Sequence, residues 1–291
     1  MLFKGSGVAL VTPFNKRGEV DFFTLKNLID FQIANGTQAL IILGTTGESS
    51  TITYEEREKI ITFVVCKANH RIPVIVGCGS NSTSTAIELI KQAEDLGADG
   101  ALIVTPYYNK ANQNGLFEHY KAIASSTHLK IIIYNVPSRT GVNILPETVI
   151  KLSKIKNIVG IKEASGNLSQ IAEICKKVSK SFAVYSGDDL LTLPMLSLGA
   201  SGVISVTANC YPADVELLCL FSQKHDFFNA KRIHNKLFDI NKALFLDINP
   251  ICVKYYLSLM GFSVGKPRLP LTEPDNETKS KLKEVKNQYE N

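Results

Sequence analysis

Short apolar runs recur along the chain, and each ends in small, hydroxyl-bearing or turn residues. The runs are almost continuously apolar, which is typical of parallel strands that are covered on both faces. They occupy residues 7–13, 39–44, 73–79, 100–106, 130–137, 158–165, 182–189 and 202–209. The pattern therefore predicts eight buried strands.

Segments with helical spacing of apolar residues separate these runs, and two of them are followed at once by Gly36 and Gly97. Parallel strands need crossover connections of this kind. Eight alternations of strand and helix predict an α/β fold, a closed (β/α)8 or TIM barrel. A doubly wound open sheet is the less favoured alternative.

The strand pattern ends near residue 225, but the chain continues with helical runs at 230–245 and 251–260. A loop rich in glycine and proline follows at 261–274, and the segment from Asn276 has the charge pattern of a solvated helix. We predict a catalytic barrel over 1–225 and a helical extension over 226–291. We expect the extension to assemble around the functional site.

Composition places the chain among folded globular proteins, because 45% of its 291 residues are hydrophobic and 20% are charged. The net charge of +5 is spread along the chain, whereas nucleic-acid binders concentrate basic residues on one face. No apolar stretch approaches the roughly 18 residues that a membrane span requires, and the N-terminus lacks a signal-peptide pattern. We expect neither a nucleic-acid nor a membrane partner.

The six cysteines lie far apart and form no C-x-x-C pair, so zinc ribbons and dithiol redox motifs are excluded. Scattered free thiols are typical of a reducing compartment, and we expect a cytoplasmic protein. The five histidines form no metal-binding pair, and no Gly-rich dinucleotide fingerprint is present. We expect no metal and no cofactor. A magnesium site is left as an alternative by acidic residues near strand ends, namely Glu48, Glu163, Asp188 and Asp189.

Lys162 interrupts the sixth apolar run, where burial of a charged amine is costly. Because side chains alternate along a strand, Lys162 shares its face with Gly160 and Ala164. If that face lines the barrel, the small neighbours leave room for the lysine. Burial favours the neutral amine, which can attack a carbonyl and form a Schiff base. The alternative is a lysine paired with a core carboxylate.

The fifth run places Tyr134 at the neighbouring strand end, where its phenol could act as a general acid and base beside Lys162. Arg139 follows, with a guanidinium suited to a carboxylate. The second run ends in a turn at 44–49 whose Thr45 and Thr46 hydroxyls and backbone amides could bind a small anion. Taken singly, these residues have ordinary alternatives: a core tyrosine, a surface arginine and an unspecific turn.

Four motifs, taken in order and spacing, resemble the dihydrodipicolinate synthase family over essentially the whole chain. They are GTTGES at 44–49, TPYYN at 105–109, YNVPSRTG at 134–141 and GIKEASG at 160–166. The wider group contains N-acetylneuraminate lyase and related 2-keto acid aldolases. Thr46 and Arg139 favour the synthases within that group.

The resemblance implies a reaction. Lys162 would condense with pyruvate, and the resulting enamine would attack the aldehyde of L-aspartate 4-semialdehyde in the committed step of lysine and diaminopimelate biosynthesis. Tyr134 would shuttle protons through Thr45 to Tyr108. In the family that last tyrosine comes from a neighbouring subunit, so the resemblance also implies a homotetramer, a dimer of dimers.

The resemblance also implies how the substrates are held. The hydroxyl of Thr46 and the amides of its turn would bind the pyruvate carboxylate, and Gly187 and Ile204 would line the pocket. Arg139 would meet the carboxylate of the semialdehyde at the pocket mouth.

One feature departs from lysine-inhibited members of the family, which carry a histidine and a glutamate where this chain has Tyr54 and Thr85. Without that carboxylate the ammonium of a bound lysine loses a charge-assisted hydrogen bond worth about 1.5 to 3 kcal/mol. We expect weak inhibition by L-lysine or none.

Two other functions remain open from the sequence. A sister aldolase would act on a longer keto acid, such as N-acetylneuraminate or 2-keto-3-deoxygluconate. A noncatalytic keto-acid sensor on the same fold would bind pyruvate without turnover.

Overall fold

The computed structural model describes residues 1–290, in which parallel strands close into a barrel. Each strand pairs with the next in the chain, and the last pairs with the first. The predicted barrel is confirmed, and the open sheet is wrong. The strands are β1 (Gly5–Ala9), β2 (Ala39–Ile42), β3 (Val74–Gly77), β4 (Gly100–Val104), β5 (Lys130–Asn135), β6 (Ile158–Glu163), β7 (Ala183–Ser186) and β8 (Gly202–Ser205).

Helices surround the barrel and continue beyond it, as the spacing of apolar residues predicts. No helix in the described part of the chain is long and apolar enough to cross a membrane. The helices are α1 (Phe22–Ala34), α2 (Tyr54–Ala68), α3 (Thr83–Asp95), α4 (Gln113–Ser125), α5 (Pro137–Thr140), α6 (Pro146–Leu152), α7 (Leu168–Lys177), α8 (Thr192–Ser197), α9 (Pro212–Gln223), α10 (Phe227–Ala243), α11 (Ile251–Leu259) and α12 (Asn276–Glu290).

On most strands, alternate residues enter two separate apolar clusters. On β5, Ile131 and Ile133 join the layer between strands and helices, whereas Ile132 and Tyr134 join the barrel interior. At the N-terminal end of the barrel, the Tyr185 hydroxyl donates to the Phe3 carbonyl at 2.7 Å and the two rings stack at 4.3 Å. These side chains fill that end, so space for a ligand is left at the carboxyl ends of the strands.

The C-terminal extension packs on the barrel through α10, which contacts α8 and α9, and α12 contacts α10 and α11. Its loop reaches back over the barrel, where the Arg268 guanidinium donates to the Gly18 carbonyl and to the Glu56 carboxylate. The extension therefore covers the loops that follow β1 and β2. The division of the chain at residue 225 stays a prediction, since α9 and α10 pack closely across it.

A buried carboxyl group lies at the other end of the barrel. Glu216 of α9 is 7% exposed and accepts a hydrogen bond from the Ser6 amide at 2.7 Å. Burial raises the pKa of Glu216 from 4.5 to about 7, although the amide opposes the shift. Because the folded state holds this proton more tightly, the stability it contributes is present below pH 4.5 and is lost as the pH rises through about 7.

We expect Glu216→Gln, which cannot ionise, to gain stability relative to wild type as the pH rises from about 5 to about 8. Urea unfolding at the two pH values measures this difference. Glu88→Gln, an exposed position on α3, is the control and should show the same difference from wild type at both. A stability difference between Glu216→Gln and wild type that does not change with pH would contradict the raised pKa of Glu216.

Candidate active site

The reactive pair of the candidate site is built by the register of two neighbouring strands. Tyr134 on β5 lies directly opposite Lys162 on β6, and both side chains point into the barrel. Lys162 is 5% exposed and Tyr134 is 7% exposed, with the lysine Nζ 4.5 Å from the centre of the tyrosine ring. Within residues 1–290 no carboxylate oxygen lies within 4.0 Å of the Lys162 amine, which contradicts the alternative of a paired lysine.

Small residues make room for the lysine, as the alternation predicts. A Cβ added to Gly187 would lie 3.0 Å from the Lys162 Cε and 2.8 Å from the Ala164 Cβ. A Cβ on Gly160 would lie 2.7 Å from the Ala183 carbonyl oxygen. Gly187 therefore leaves room for the lysine stem, whereas Gly160 lets the β6 backbone lie close to β7.

The outer face of the same two strands carries a buried polar network. The Glu163 carboxylate is fully buried and accepts from the Asn135 amide at 3.0 Å, the Gln170 amide at 3.0 Å and the Ser165 backbone N–H at 2.8 Å. Asn135 and Glu163 are themselves register partners, one residue beyond the reactive pair. Sequence reasoning considered Glu163 only as a metal ligand, and the structure turns it away from the barrel interior.

A cavity of about 450 Å³ opens at the carboxyl ends of the strands above this pair. It brings together five of the predicted site residues, Thr46, Tyr134, Arg139, Lys162 and Gly187. The remaining lining residues are Val136, Ser138, Ala164, Asp188, Leu190, Val206, Asn241, Lys242, Phe245 and Asn249. An amine, a phenol and a guanidinium therefore face one space that can hold small carboxylic acids.

Polar residues from the C-terminal extension complete the cavity, and sequence reasoning did not find them. Asn249 donates from Nδ2 to the Thr46 hydroxyl oxygen at 2.9 Å, and its main-chain carbonyl accepts from Arg139 at 3.2 Å. Nothing near residue 249 in the sequence indicates these contacts, because Thr46 and Arg139 lie far away along the chain. A buried asparagine between two helical runs is the only local signal.

The turn at 44–49 is anchored by a buried ion pair. The Lys254 amine of α11 lies 2.7 Å from the Glu48 carboxylate, and the side chains are 1% and 2% exposed. The Arg268 backbone N–H donates to the same carboxylate at 2.8 Å. Burial lowers the pKa of Lys254 to about 8, although Glu48 opposes the shift. This pair fixes the turn that carries Thr46.

The acidic residues considered as magnesium ligands have other partners. Glu48 binds Lys254, and Asp189 accepts from the Ser205 hydroxyl and from two backbone amides. Burial raises the pKa of the Asp189 carboxyl, opposed by those hydrogen bonds. No group of three His, Cys, Asp or Glu side chains that could hold a metal ion occurs among the described residues.

Three predicted site residues lie outside the cavity. Thr45 belongs to the anchored turn but does not line the space, and Tyr108 is 89% exposed. Ile204 is buried deeper, in the apolar barrel interior, while Val206 lies at the cavity wall two residues later. The proton relay and the role of Ile204 stay predictions.

A second cavity of about 310 Å³ lies behind Tyr134. It contains Tyr54 and Thr85, the positions that depart from the lysine-inhibited members, together with Ser49, Ser50 and Tyr107. Sequence reasoning missed Arg57, a buried guanidinium that also lines this space and donates to the Gly77 carbonyl and the Gln92 side chain. The described residues that line this cavity therefore include a cation and no carboxylate.

Comparisons with known proteins match nearly the whole chain. A model of the dihydrodipicolinate synthetase family matches residues 2–288. The 4-hydroxy-tetrahydrodipicolinate synthase of Alkaliphilus oremlandii is 51% identical, with 97% of each chain covered. The crystal structure of dihydrodipicolinate synthase from Aquifex aeolicus is 50% identical with a TM-score of 0.97, covering 99% of this chain and 98% of that one. A structure described as a monomeric dihydrodipicolinate synthase variant is 45% identical with a TM-score of 0.98, covering 99% and 97%.

The buried ion pair gives a stability prediction. We expect Lys254→Met to cost about 3 kcal/mol, because the Glu48 carboxylate would stay buried without its cation. Denaturant unfolding measures the loss. Lys26→Met, which removes a half-exposed lysine from its pair with Asp30, should cost less than about 1 kcal/mol. Equal losses in the two variants would refute a special role for the buried pair, and Glu48→Gln added to Lys254→Met should recover part of the loss.

Proposed function

The chain belongs to the dihydrodipicolinate synthetase family, and we propose that Lys162 carries its condensation of pyruvate with L-aspartate 4-semialdehyde. Relatives at about 50% identity over nearly the full chain are named 4-hydroxy-tetrahydrodipicolinate synthase. The reaction is accordingly a lyase step of lysine and diaminopimelate biosynthesis, and the sister aldolases are not favoured. The single observation that carries the proposal for this chain is the unpaired amine of Lys162 against the ring of Tyr134.

The first half of the reaction uses the amine. Lys162 Nζ attacks the ketone carbon of pyruvate, and the oxygen leaves as water once it is protonated, which gives an imine. The phenol of Tyr134 is the nearest candidate to supply that proton. Loss of a methyl proton then converts the imine to an enamine.

The second half forms the ring. The enamine carbon attacks the aldehyde of the semialdehyde, and the aldehyde oxygen takes up a proton to become a hydroxyl group. The amino group of the semialdehyde next attacks the carbon bound to Lys162 and displaces the lysine. This closes the ring of 4-hydroxy-tetrahydrodipicolinate and regenerates the free amine.

Recognition of both acids rests on the cavity rim. We assign the pyruvate carboxylate to the Thr46 hydroxyl and the amides of its turn, and the semialdehyde carboxylate to the Arg139 guanidinium. Support comes from the positions of Thr46 and Arg139, which line the same cavity as Lys162. Within the described residues Arg139 has no carboxylate partner of its own, which leaves its fork free for a substrate.

We also propose that the chain assembles as a homotetramer in the cytoplasm. Its own Tyr108 is highly exposed and lies outside the cavity, so the relay from Tyr134 through Thr45 needs this tyrosine from a second copy. The six free cysteines suit a reducing compartment. Measurement of mass by light scattering tests the assembly, and an active monomer would refute the need for a second copy.

Borohydride reduction in the presence of pyruvate tests the central claim. We expect one three-carbon adduct, found by peptide mass mapping on Lys162, and no adduct in Lys162→Arg. Lys254 is an internal control, because it is buried with a pKa lowered to about 8 but does not line this cavity. An adduct on Lys254, or none at all, would refute the assignment.

Turnover measurements separate the proposed reaction from its alternatives. We expect formation of the cyclic product from pyruvate and aspartate semialdehyde, with kcat lowered about 100-fold or more in Tyr134→Phe if the phenol transfers protons. Cleavage of N-acetylneuraminate or 2-keto-3-deoxygluconate instead would favour a sister aldolase. Adduct formation without turnover would indicate a sensor.

We also expect weak inhibition by L-lysine or none. Arg57 lines the second cavity and Thr85 supplies no carboxylate, so an ammonium group there meets a cation and finds no anion. Steady-state assays should show no half-inhibition at or below about 1 mM lysine, the range of very weak binding. Thr85→Glu should lower the inhibitory concentration, whereas Thr85→Gln should not. Half-inhibition of the wild type below that concentration would overturn the prediction.

A further inference from the structure

Asn249 holds a position that neither the reaction scheme nor the sequence motifs explain. It lies between α10 and α11 of the C-terminal extension, is 6% exposed and lines the cavity of the candidate active site. Its side chain bonds to Thr46 and its main-chain carbonyl to Arg139. One residue thus contacts both groups assigned to the substrate carboxylates.

The bond to Thr46 has a defined direction. Asn249 Nδ2 donates at 2.9 Å, so the Thr46 oxygen acts as the acceptor. A threonine hydroxyl has a single hydrogen, and this hydrogen is then left for another acceptor. A carboxylate in the cavity is such an acceptor, and a donor oriented before the substrate arrives loses less conformational freedom on binding.

The bond to Arg139 restricts the orientations of the arginine side chain. Arg139 is exposed, and the Asn249 carbonyl is the one hydrogen-bond acceptor of its guanidinium within the described part of the chain. An arginine that is fixed at one nitrogen keeps its planar fork in a narrower range of orientations. Movement of the Asn249 segment would therefore loosen Arg139 as well as Thr46.

The segment that carries Asn249 is anchored to the turn that carries Thr46, and this anchoring makes the contact between the two residues rigid. Five residues after Asn249, Lys254 forms the buried pair with Glu48, which lies two residues after Thr46. The segment and the turn are thus joined at two points, once by an ion pair and once by the amide. The Thr46 hydroxyl has little freedom to reorient in such an arrangement.

We propose that Asn249 is a positioning residue that orients the Thr46 hydroxyl toward the pyruvate carboxylate and holds Arg139 toward that of the second substrate. This inference rests on the proposed function, because it presupposes a keto acid bound at Lys162. It assigns the C-terminal extension a direct part in substrate recognition. Asn249 itself contacts no reacting atom.

A double-mutant cycle tests the proposal with pyruvate alone. The measured quantity is the pyruvate concentration that gives half-maximal borohydride adduct on Lys162 in wild type, Asn249→Leu, Thr46→Val and the double variant. We expect each single variant to raise this concentration about tenfold, the scale of one lost hydrogen bond. The double variant should be no worse than the weaker-binding single variant, because both changes remove the same interaction. The maximal amount of adduct should stay near one per chain.

A matched control separates positioning from loss of stability. Asn157→Leu removes an asparagine that donates to main-chain carbonyls, including that of Ala124, far from the cavity. It should lower the unfolding midpoint without changing the half-saturating pyruvate concentration. If Asn249→Leu fails to fold, Asn249→Ser, which is too short to reach Thr46, takes its place in the cycle.

The outcomes separate this inference from the function on which it rests. No adduct on Lys162 of the wild type would overturn the proposed function. If the wild type is trapped normally, two results would overturn the role of Asn249 alone. The effects of the two substitutions could multiply in the double variant, or Asn249→Leu could have no effect. Because Asn249→Leu keeps the main-chain carbonyl that Arg139 binds, the KM for the semialdehyde at saturating pyruvate should change far less than the half-saturating pyruvate concentration. An equal rise of both would overturn the separate roles of the Asn249 side chain and main chain.

Discussion

The register of β5 against β6 is the constraint on which the candidate site depends. A shift of one residue would turn Lys162 toward the helices and Tyr134 away from it, because side chains alternate along a strand. Two features oppose such a shift: the closure of the barrel, which leaves no free edge, and the bonds from Asn135 and Gln170 to Glu163 on the outer face. The buried network around Glu163 therefore helps to hold the register that places Tyr134 opposite Lys162. It lies one residue further along the same strands.

Substrate recognition depends on a second constraint, which acts through the C-terminal extension. The turn at 44–49 follows β2, but the groups that fix it come from residues more than 200 positions later, namely Asn249, Lys254 and Arg268. A buried ion pair is costly unless its geometry is good, and loss of either partner is more costly still. The turn and the extension therefore form one unit, and the barrel alone would leave the Thr46 hydroxyl, which we assign to the pyruvate carboxylate, without its hydrogen-bond partner.

Local sequence patterns were sufficient for the fold and for the chemistry of the strands. The apolar runs predicted the eight strands because a strand buried on both faces must be apolar, and the break in that pattern at Lys162 indicated the candidate reactive residue. Contacts between distant segments could not be predicted in this way. Asn249 and Arg57 have no local pattern that distinguishes them, since their roles depend on which residues the fold places beside them. Tyr108 shows a different limit, because it is 89% exposed on a single chain and its proposed role depends on a second copy.

The two constraints act on separate parts of the chain. One acts on the residues assigned to the imine chemistry, and the other acts on the residues assigned to substrate recognition. The amine and the phenol come from adjacent strands whose packing is fixed by the barrel interior, so they can change little without damage to the fold. The groups assigned to the carboxylates come from a turn, a short helix and the extension, where the chain can vary with less effect on the core. A family built on this plan can keep one imine chemistry while the second substrate changes. The residues that recognise the second substrate should then lie among the contacts between the extension and the barrel. Asn249 makes two of these contacts, with Thr46 and with Arg139.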